Sequence, residues 1–285
     1  MATPSVSECI RAGKTALENA GIENAGFEAR HLFLHAAGWA REQLISEESS
    51  PVQDSHEAGF LCLVERRLGH EPLSHILGHV DFMGHQFKTD QRALAPRMDS
   101  ERLVEAVLRL TGDVPSGKIA DLGVGSGCLL LSVLAERPEW TGVGLDLSED
   151  ALSLTRENAE ALGLEPRVSL LHGEWDAARD VISQADIVMS NPPYIASSVV
   201  DELDPEVRYF DPRMALDGGM DGLDAYREIV ALCATAMRPG SWLVFEIGYD
   251  QGEAVSSLLS ASKFSFVRVH KDFSGQDRVI VAHKV

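Results

Sequence analysis

One feature constrains this chain more than any other: a short apolar run, residues 118–122, passes without a break into Gly123-Val124-Gly125-Ser126-Gly127. Glycines permit positive φ and let a ligand approach the backbone at the start of a helix. The next apolar segment, residues 142–145, ends on Asp146. A carboxylate about 20 residues beyond a glycine turn suits the paired hydroxyls of a ribose. An ordinary strand-end turn is the alternative for Asp146. The spacing Gly-x-Gly-x-Gly lacks the two-residue gap to a third glycine, which leans away from a nicotinamide dinucleotide. Ser148 then caps a helix reaching to about residue 163, with Glu149 and Asp150 in its first turn.

Strand and helix patterns alternate after Pro115, the mark of a doubly wound α/β domain. Residues 168–172 read as a third strand, followed by Gly173-Glu174-Trp175. Trp175 or a backbone amide at this strand end can wall an adenine pocket, with plain packing as the competing role. Residues 185–190 read as a buried strand leading into Asn191-Pro192-Pro193-Tyr194. There the Asn191 side-chain oxygen and a carbonyl at Pro192 offer two acceptors at one point, which suits one planar NH2 group. Such a nitrogen is a poor nucleophile, and holding both N–H bonds turns its lone pair toward an electrophile. Tyr194 can stack on the flat face of the group being modified. A proline-rich turn with Tyr194 as packing is the structural alternative.

A polar segment, residues 196–222, is long enough to be functional or mobile. A helix over 224–237, a buried strand over 242–247 and a helix over 251–259 follow. The tail pairs 265–270 with 278–282 across a turn at 271–277. An antiparallel pair closing an otherwise parallel sheet matches a seven-stranded methyltransferase-type arrangement.

Upstream, residues 5–76 carry helical spacing, clearest over 22–39 and 60–68, and predict a small helical bundle. His31, His35, His56, His70 and His75 show no ligand spacing and are expected at the surface or in caps. The pattern alternates over 78–94, with Val80 and Phe82, a Met83-Gly84-His85 turn, then Phe87 and Thr89, predicting a connecting hairpin. Pro96 and Asp99 open an amphipathic helix through Leu110, with Asp99 or Ser100 as its cap.

At 285 residues and 45% hydrophobic, the chain can bury one large core or a standard domain with a smaller one. A formal charge of -19 opposes sequence-independent phosphate binding, so no direct nucleic-acid contact is expected. Cys9, Cys62, Cys128 and Cys233 lie far apart, without metal-ligand or disulfide spacing. Residues 1–14 lack a secretory pattern, and no apolar run is long enough to span a bilayer. The expectation is a cytoplasmic monomer with no metal and no membrane contact.

Taken together, these motifs resemble the peptide chain release factor glutamine methyltransferases, the PrmC/HemK family. The resemblance rests on Asp121-Leu122-Gly123-x-Gly125-Ser126-Gly127 and Asn191-Pro192-Pro193-Tyr194-Ile195. It also rests on the run from Pro212-Arg213 to Gly222-Leu223, on Glu246-Ile247-Gly248-Tyr249-Asp250-Gln251-Gly252, and on Asp277-Arg278-Val279. It implies a Rossmann-like, seven-stranded S-adenosylmethionine-dependent methyltransferase domain over 97–285. A hairpin connector over 78–96 and an N-terminal helical substrate-docking domain over 1–77 would precede it. It implies S-adenosylmethionine as donor, S-adenosylhomocysteine as product, and the Gln of the Gly-Gly-Gln loop of class-1 release factors as acceptor. Asp121, Gly123, Val124, Gly125, Ser126, Gly127, Asp146, Glu174, Trp175 and Asn191 map onto the family's donor-binding positions. Asn191, Pro192, Pro193 and Tyr194 map onto its catalytic, Gln-binding motif.

The family's Pro-Arg-Pro-x-Thr-Glu segment reads Pro96-Arg97-Met98-Asp99-Ser100-Glu101 here, and Asp211 stands where Glu is usual. Arg97 is placed either near the donor's carboxylate or in a local ion pair with Glu101 or Asp99. Two other functions fit part of the pattern. One is an amino-methyltransferase acting on an exocyclic NH2 of a nucleic-acid base, against which the charge argues. The other is a non-catalytic S-adenosylmethionine-binding protein, against which the intact 191–194 motif argues.

Overall fold

The computed structural model describes residues 3–285; Met1 and Ala2, with which the expected helical domain begins, lie outside them. The chain divides into two compact units, Met1–Gly78 and His79–Val285.

Among the described residues the first unit holds five helices: α1 (Val6–Asn19), α2 (Ala25–Ala37), α3 (Arg41–Glu47), α4 (Asp54–Leu68) and α5 (Leu73–Leu77). Ser5 starts α1 with a reciprocal cap: its hydroxyl accepts from the Glu8 N–H while the Glu8 carboxylate accepts from the Ser5 N–H at 2.8 Å. Leu17, Leu32, Phe33 and Phe60 are fully buried between α1, α2 and α4, with the Phe33 and Phe60 rings edge to face at 5.6 Å. Inside this apolar set sits an ion pair that helical periodicity could not reveal. Arg67 on α4 donates from Nε to Glu28 Oε2 on α2 at 2.6 Å, and a second N–H reaches Glu28 Oε1 at 3.2 Å. Both residues are buried. Removing one partner strands a charge, so Arg67→Met should destabilise this unit by roughly 3–5 kcal/mol. Glu28→Leu/Arg67→Met should recover most of that loss. Denaturant unfolding checks both, and a single variant as stable as the wild type would refute the prediction.

The second unit opens with a hairpin, β1 (His79–Phe82) and β2 (His85–Lys88). The turn is the two residues Met83-Gly84, both at positive φ, and His85 already pairs with Phe82. Phe82 and Phe87 are buried in the same cluster as Leu103, Leu130 and Val244, so the hairpin is part of this unit's core. Then come α6 (Glu101–Leu110), β3 (Gly117–Leu122), α7 (Cys128–Glu136), β4 (Trp140–Asp146), α8 (Glu149–Ala161), β5 (Val168–His172), α9 (Arg179–Gln184) and β6 (Ile187–Ser190). The 196–222 segment, read from sequence as a loop, contains α10 (Ser197–Val200) and α11 (Pro205–Phe210). The chain ends with α12 (Asp224–Ala236), β7 (Trp242–Glu246), α13 (Gly252–Ala261), β8 (Phe264–Lys271) and β9 (Asp277–Lys284).

The sheet has seven strands in the order β5-β4-β3-β6-β7-β9-β8. β3 through β7 are mutually parallel; β9 runs antiparallel to β7, and β8 antiparallel to β9. Parallel neighbours need crossovers, and helices on both faces make the central strands apolar throughout. Successive residues split between the two layers. Ile187, Met189 and Val244 join the cluster with α6 and α7, while Val188, Leu243 and Phe245 join the one with α12 and α13. The chain winds outward from β3 to β5, then returns to β6 on the other side of β3. This reversal lies between β3 and β6, the position at which open α/β sheets leave a crevice beyond the strand ends.

α6 corrects one expectation. Neither Asp99 nor Ser100 caps it through a side chain, because a single 3-10 turn, Met98–Ser100, runs into the helix with Ser100 already helical. The Ser100 side chain is buried instead.

Candidate active site

The two loops that the sequence singled out leave adjacent strands and open on one cavity. Strand pairing sets Asp121 of β3 beside Met189 of β6, and Ser190 Oγ donates to the Leu122 carbonyl at 2.5 Å, tying the two strand ends together. Gly123, Val124, Gly125, Ser126, Asp146, Trp175, Asn191 and Pro193 line the cavity. Asp121, Gly127, Glu174, Pro192 and Tyr194 do not line it.

The glycine turn is held from three sides. The Gly123 and Val124 N–H groups donate to the Leu145 carbonyl at 2.8 and 2.9 Å. Asp146 accepts from the Gly125 N–H at Oδ2 and from the Ser148 N–H at Oδ1, each at 2.9 Å. Beneath the turn, Thr155 Oγ1 donates to the Gly125 carbonyl at 2.7 Å and Asn158 Nδ2 to the Ser126 carbonyl at 2.9 Å. Gly127 has φ +82°, and a Cβ there would lie 2.8 Å from Thr155 Cγ2, so no side chain fits. Thr155 and Asn158 escaped the sequence reading. Two polar residues three apart on the otherwise apolar face of α8 were the available signal.

Asp121 is fully buried two residues before the turn; its carboxyl lies close to the Leu130 N–H of α7 but makes no hydrogen bond of good geometry among the described residues. Burial, with Asp146 close by, raises its carboxyl well above the ordinary carboxylate range. Trp175 lies over the start of the turn, within 3.6 Å of where a Gly123 Cβ would be.

Asn191 faces the cavity with no hydrogen bond from its side chain to the described residues. Tyr194 points away: its ring packs against the cluster holding Tyr226 and Phe245, and burial pushes its hydroxyl up to about 12. Near it, burial lifts the Glu246 carboxyl at the end of β7 to about 7, offset in part by the Ser100 hydroxyl and by Arg278. Glu246 Oε2 is buried without a hydrogen-bond partner among the described residues.

Much of the remaining wall comes from the 78–96 connector, the segment that opens α6 and the 196–222 segment. Arg92, Ala93, Leu94, Ala95, Pro96, Arg97 and Ser100 form one side, and Pro212, Met214 and Ala215 another. Arg97 bridges the two. Its guanidinium donates to Asp211 Oδ2 at 2.9 Å across 114 residues of chain, rather than to Glu101 or Asp99. Glu101 is engaged elsewhere, accepting from the Met83 N–H at 2.9 Å.

Comparison with known proteins follows the same division of the chain. The PrmC N-terminal domain model matches residues 8–78, and the methyltransferase small domain model matches residues 98–203. A release factor glutamine methyltransferase of Caulobacter vibrioides is 42% identical over 96% of this chain and 94% of its own length. The chain belongs to the release factor glutamine methyltransferase family. Another member, from Cereibacter sphaeroides, is 38% identical over 97% of each chain. Among solved structures, the hMettl16 catalytic domain, crystallised with a MAT2A 3′UTR hairpin, superposes with a TM-score of 0.59. That match covers 78% of this chain and 81% of that one at 15% identity, and it shows a shared methyltransferase fold. No helix among the described residues of this family member is long and apolar enough to cross a membrane.

Proposed function

We propose that this chain transfers the methyl group of S-adenosylmethionine to the side-chain amide nitrogen of the Gln in the Gly-Gly-Gln loop of class-1 release factors. The observation that carries this reading is the one cavity shared by residues 123–126 of the glycine turn, Asp146 and Asn191.

The residues present fit the donor. Asp146 uses each oxygen on one backbone N–H and keeps lone pairs for vicinal hydroxyls. The glycine turn exposes backbone to a close approach, and Trp175 supplies a flat apolar wall. When bound, the donor supplies an electrophilic methyl on a positively charged sulfur. Asn191 Oδ1 accepts one amide N–H of the acceptor at the cavity wall, and the Pro192 carbonyl, set behind that wall, accepts the other once the acceptor enters, fixing its plane and directing the nitrogen lone pair into the cavity. Those N–H bonds become more acidic as the new N–C bond forms, so both hydrogen bonds strengthen in the transition state, and one of the two protons is then released to leave the neutral secondary amide. With its hydroxyl held up to about 12, Tyr194 stays protonated near neutrality and is an anchor for the loop, not a base.

The helical unit, with its own core, docks the protein substrate in this reading. Shortening the chain to 79–285 should lower kcat/KM on an intact release factor by about tenfold or more, while a short Gly-Gly-Gln peptide is affected far less. Equal losses on both would remove the docking role. The decisive test of the activity is incubation with isotopically labelled donor and a release factor, DNA or RNA. Mass spectrometry is expected to find one methyl on the Gly-Gly-Gln glutamine, and label on a nucleic-acid base instead would overturn the assignment.

A further inference from the structure

We propose that Gln251 is a positioning residue for methyl transfer, its side-chain amide locking the acceptor loop 191–194 to the 196–222 segment. The proposal rests on the reading of that loop as the grip on the acceptor amide. Gln251 occupies the position before α13, where a short polar side chain would ordinarily cap the helix, yet it makes no side-chain cap. Its amide is used on three other backbone segments. Nε2 donates to the Tyr194 carbonyl at 2.9 Å and to the Gly222 carbonyl at 3.2 Å, and Oε1 accepts from the Gly248 N–H at 3.0 Å. Both N–H bonds and the oxygen are therefore occupied, a pattern that a carboxylate cannot reproduce.

The surrounding backbone is built for this approach. At Gly222, with φ +73°, a Cβ would lie 2.4 Å from the Tyr194 oxygen and 2.8 Å from Gln251 Nε2, so only glycine admits the contact. On the far side of Tyr194 the loop is laced to the same segment. The Ile195 N–H donates to the Leu216 carbonyl at 3.0 Å, the Gly218 N–H to the Ile195 carbonyl at 2.8 Å, and the Ser197 N–H to the Gly219 carbonyl at 2.8 Å. Gln251 closes the remaining side of this joint. Asn191 and Pro193 line one wall of the cavity and Met214 and Ala215 another, and the joint fixes the distance between those walls.

The test uses the full chain carrying Gln251→Ala or Gln251→Glu, beside the wild type. For Gln251→Ala, kcat on the release factor should fall about 10- to 100-fold, as a displacement of order 1 Å would cause, with donor affinity within about twofold of wild type. For Gln251→Glu, a carboxylate faces two carbonyl oxygens. Its activity relative to wild type should rise on acidification, when the protonated acid can donate to one of them. Hydrogen exchange supplies a readout that needs no acceptor: the Ile195, Ser197 and Gly218 amides should exchange at least about tenfold faster in Gln251→Ala, and those of Gly123 and Val124 at the wild-type rate. Unchanged exchange at the first three amides overturns the proposal. So does wild-type kcat, or a kcat loss matched by equal losses of donor affinity and thermal stability. If the wild type leaves the release factor unlabelled, the substrate reading alone falls, and the exchange rates still decide the role of Gln251.

Discussion

Asn191→Ala is expected to lower kcat by about 10²–10³-fold, the loss typical of removing one preorganised polar group aimed at a reacting centre. Donor affinity should change little. Asn191 is the one polar side chain of its loop that reaches the cavity, and it is not spent on any internal hydrogen bond, so truncating it leaves the loop's own backbone contacts intact. The 191–194 loop stays tied through Ser190 to β3 and through Tyr194 to Gln251. The loss should therefore appear in the rate at saturating donor and acceptor, not in stability or in calorimetric binding of S-adenosylmethionine. A turnover for Asn191→Ala within about threefold of wild type would take this residue out of the mechanism.

The second large effect is expected on the donor side. Asp146→Ala should weaken S-adenosylmethionine binding by roughly 10- to 100-fold, from hydrogen bonds to a charged group worth about 1.5–3 kcal/mol. The variant also leaves the Gly125 and Ser148 N–H groups without their acceptor, loosening the glycine turn. Asp146→Asn is no gentler replacement, because both carboxylate oxygens accept from backbone N–H groups and an amide NH2 would face one of them. With donor raised to saturation, kcat of Asp146→Ala should return to within severalfold of wild type. Isothermal titration separates the outcomes, and a dissociation constant within about twofold of wild type would refute the assignment. The pair of variants thus distinguishes grip on the acceptor from grip on the donor.

What could be read from the chain was whatever depends on neighbours in sequence. The glycine turn after residues 118–122, the acid ending 142–145 and the Asn191 loop each combine a strand pattern with the residues immediately following it, and local patterning decides such units. Parallel order followed as well, since alternating strand and helix leaves few topologies. The hairpin turn came out one residue shorter than expected because Met83 accepts positive φ, which propensity does not announce.

Partners distant in sequence were not legible. Arg97 meeting Asp211, Asn158 holding Ser126, Arg67 meeting Glu28, and Gln251 spanning Tyr194, Gly222 and Gly248 all join segments whose approach is set by packing. The order of residues along this chain determined its strands, its helices and the chemistry carried at two strand ends. Only folding decided that those ends are neighbours across β3 and β6, and which buried amides and ions hold them there. Side-chain pattern constrains a residue's own backbone, whereas a cavity between two loops exists only once the sheet has assembled.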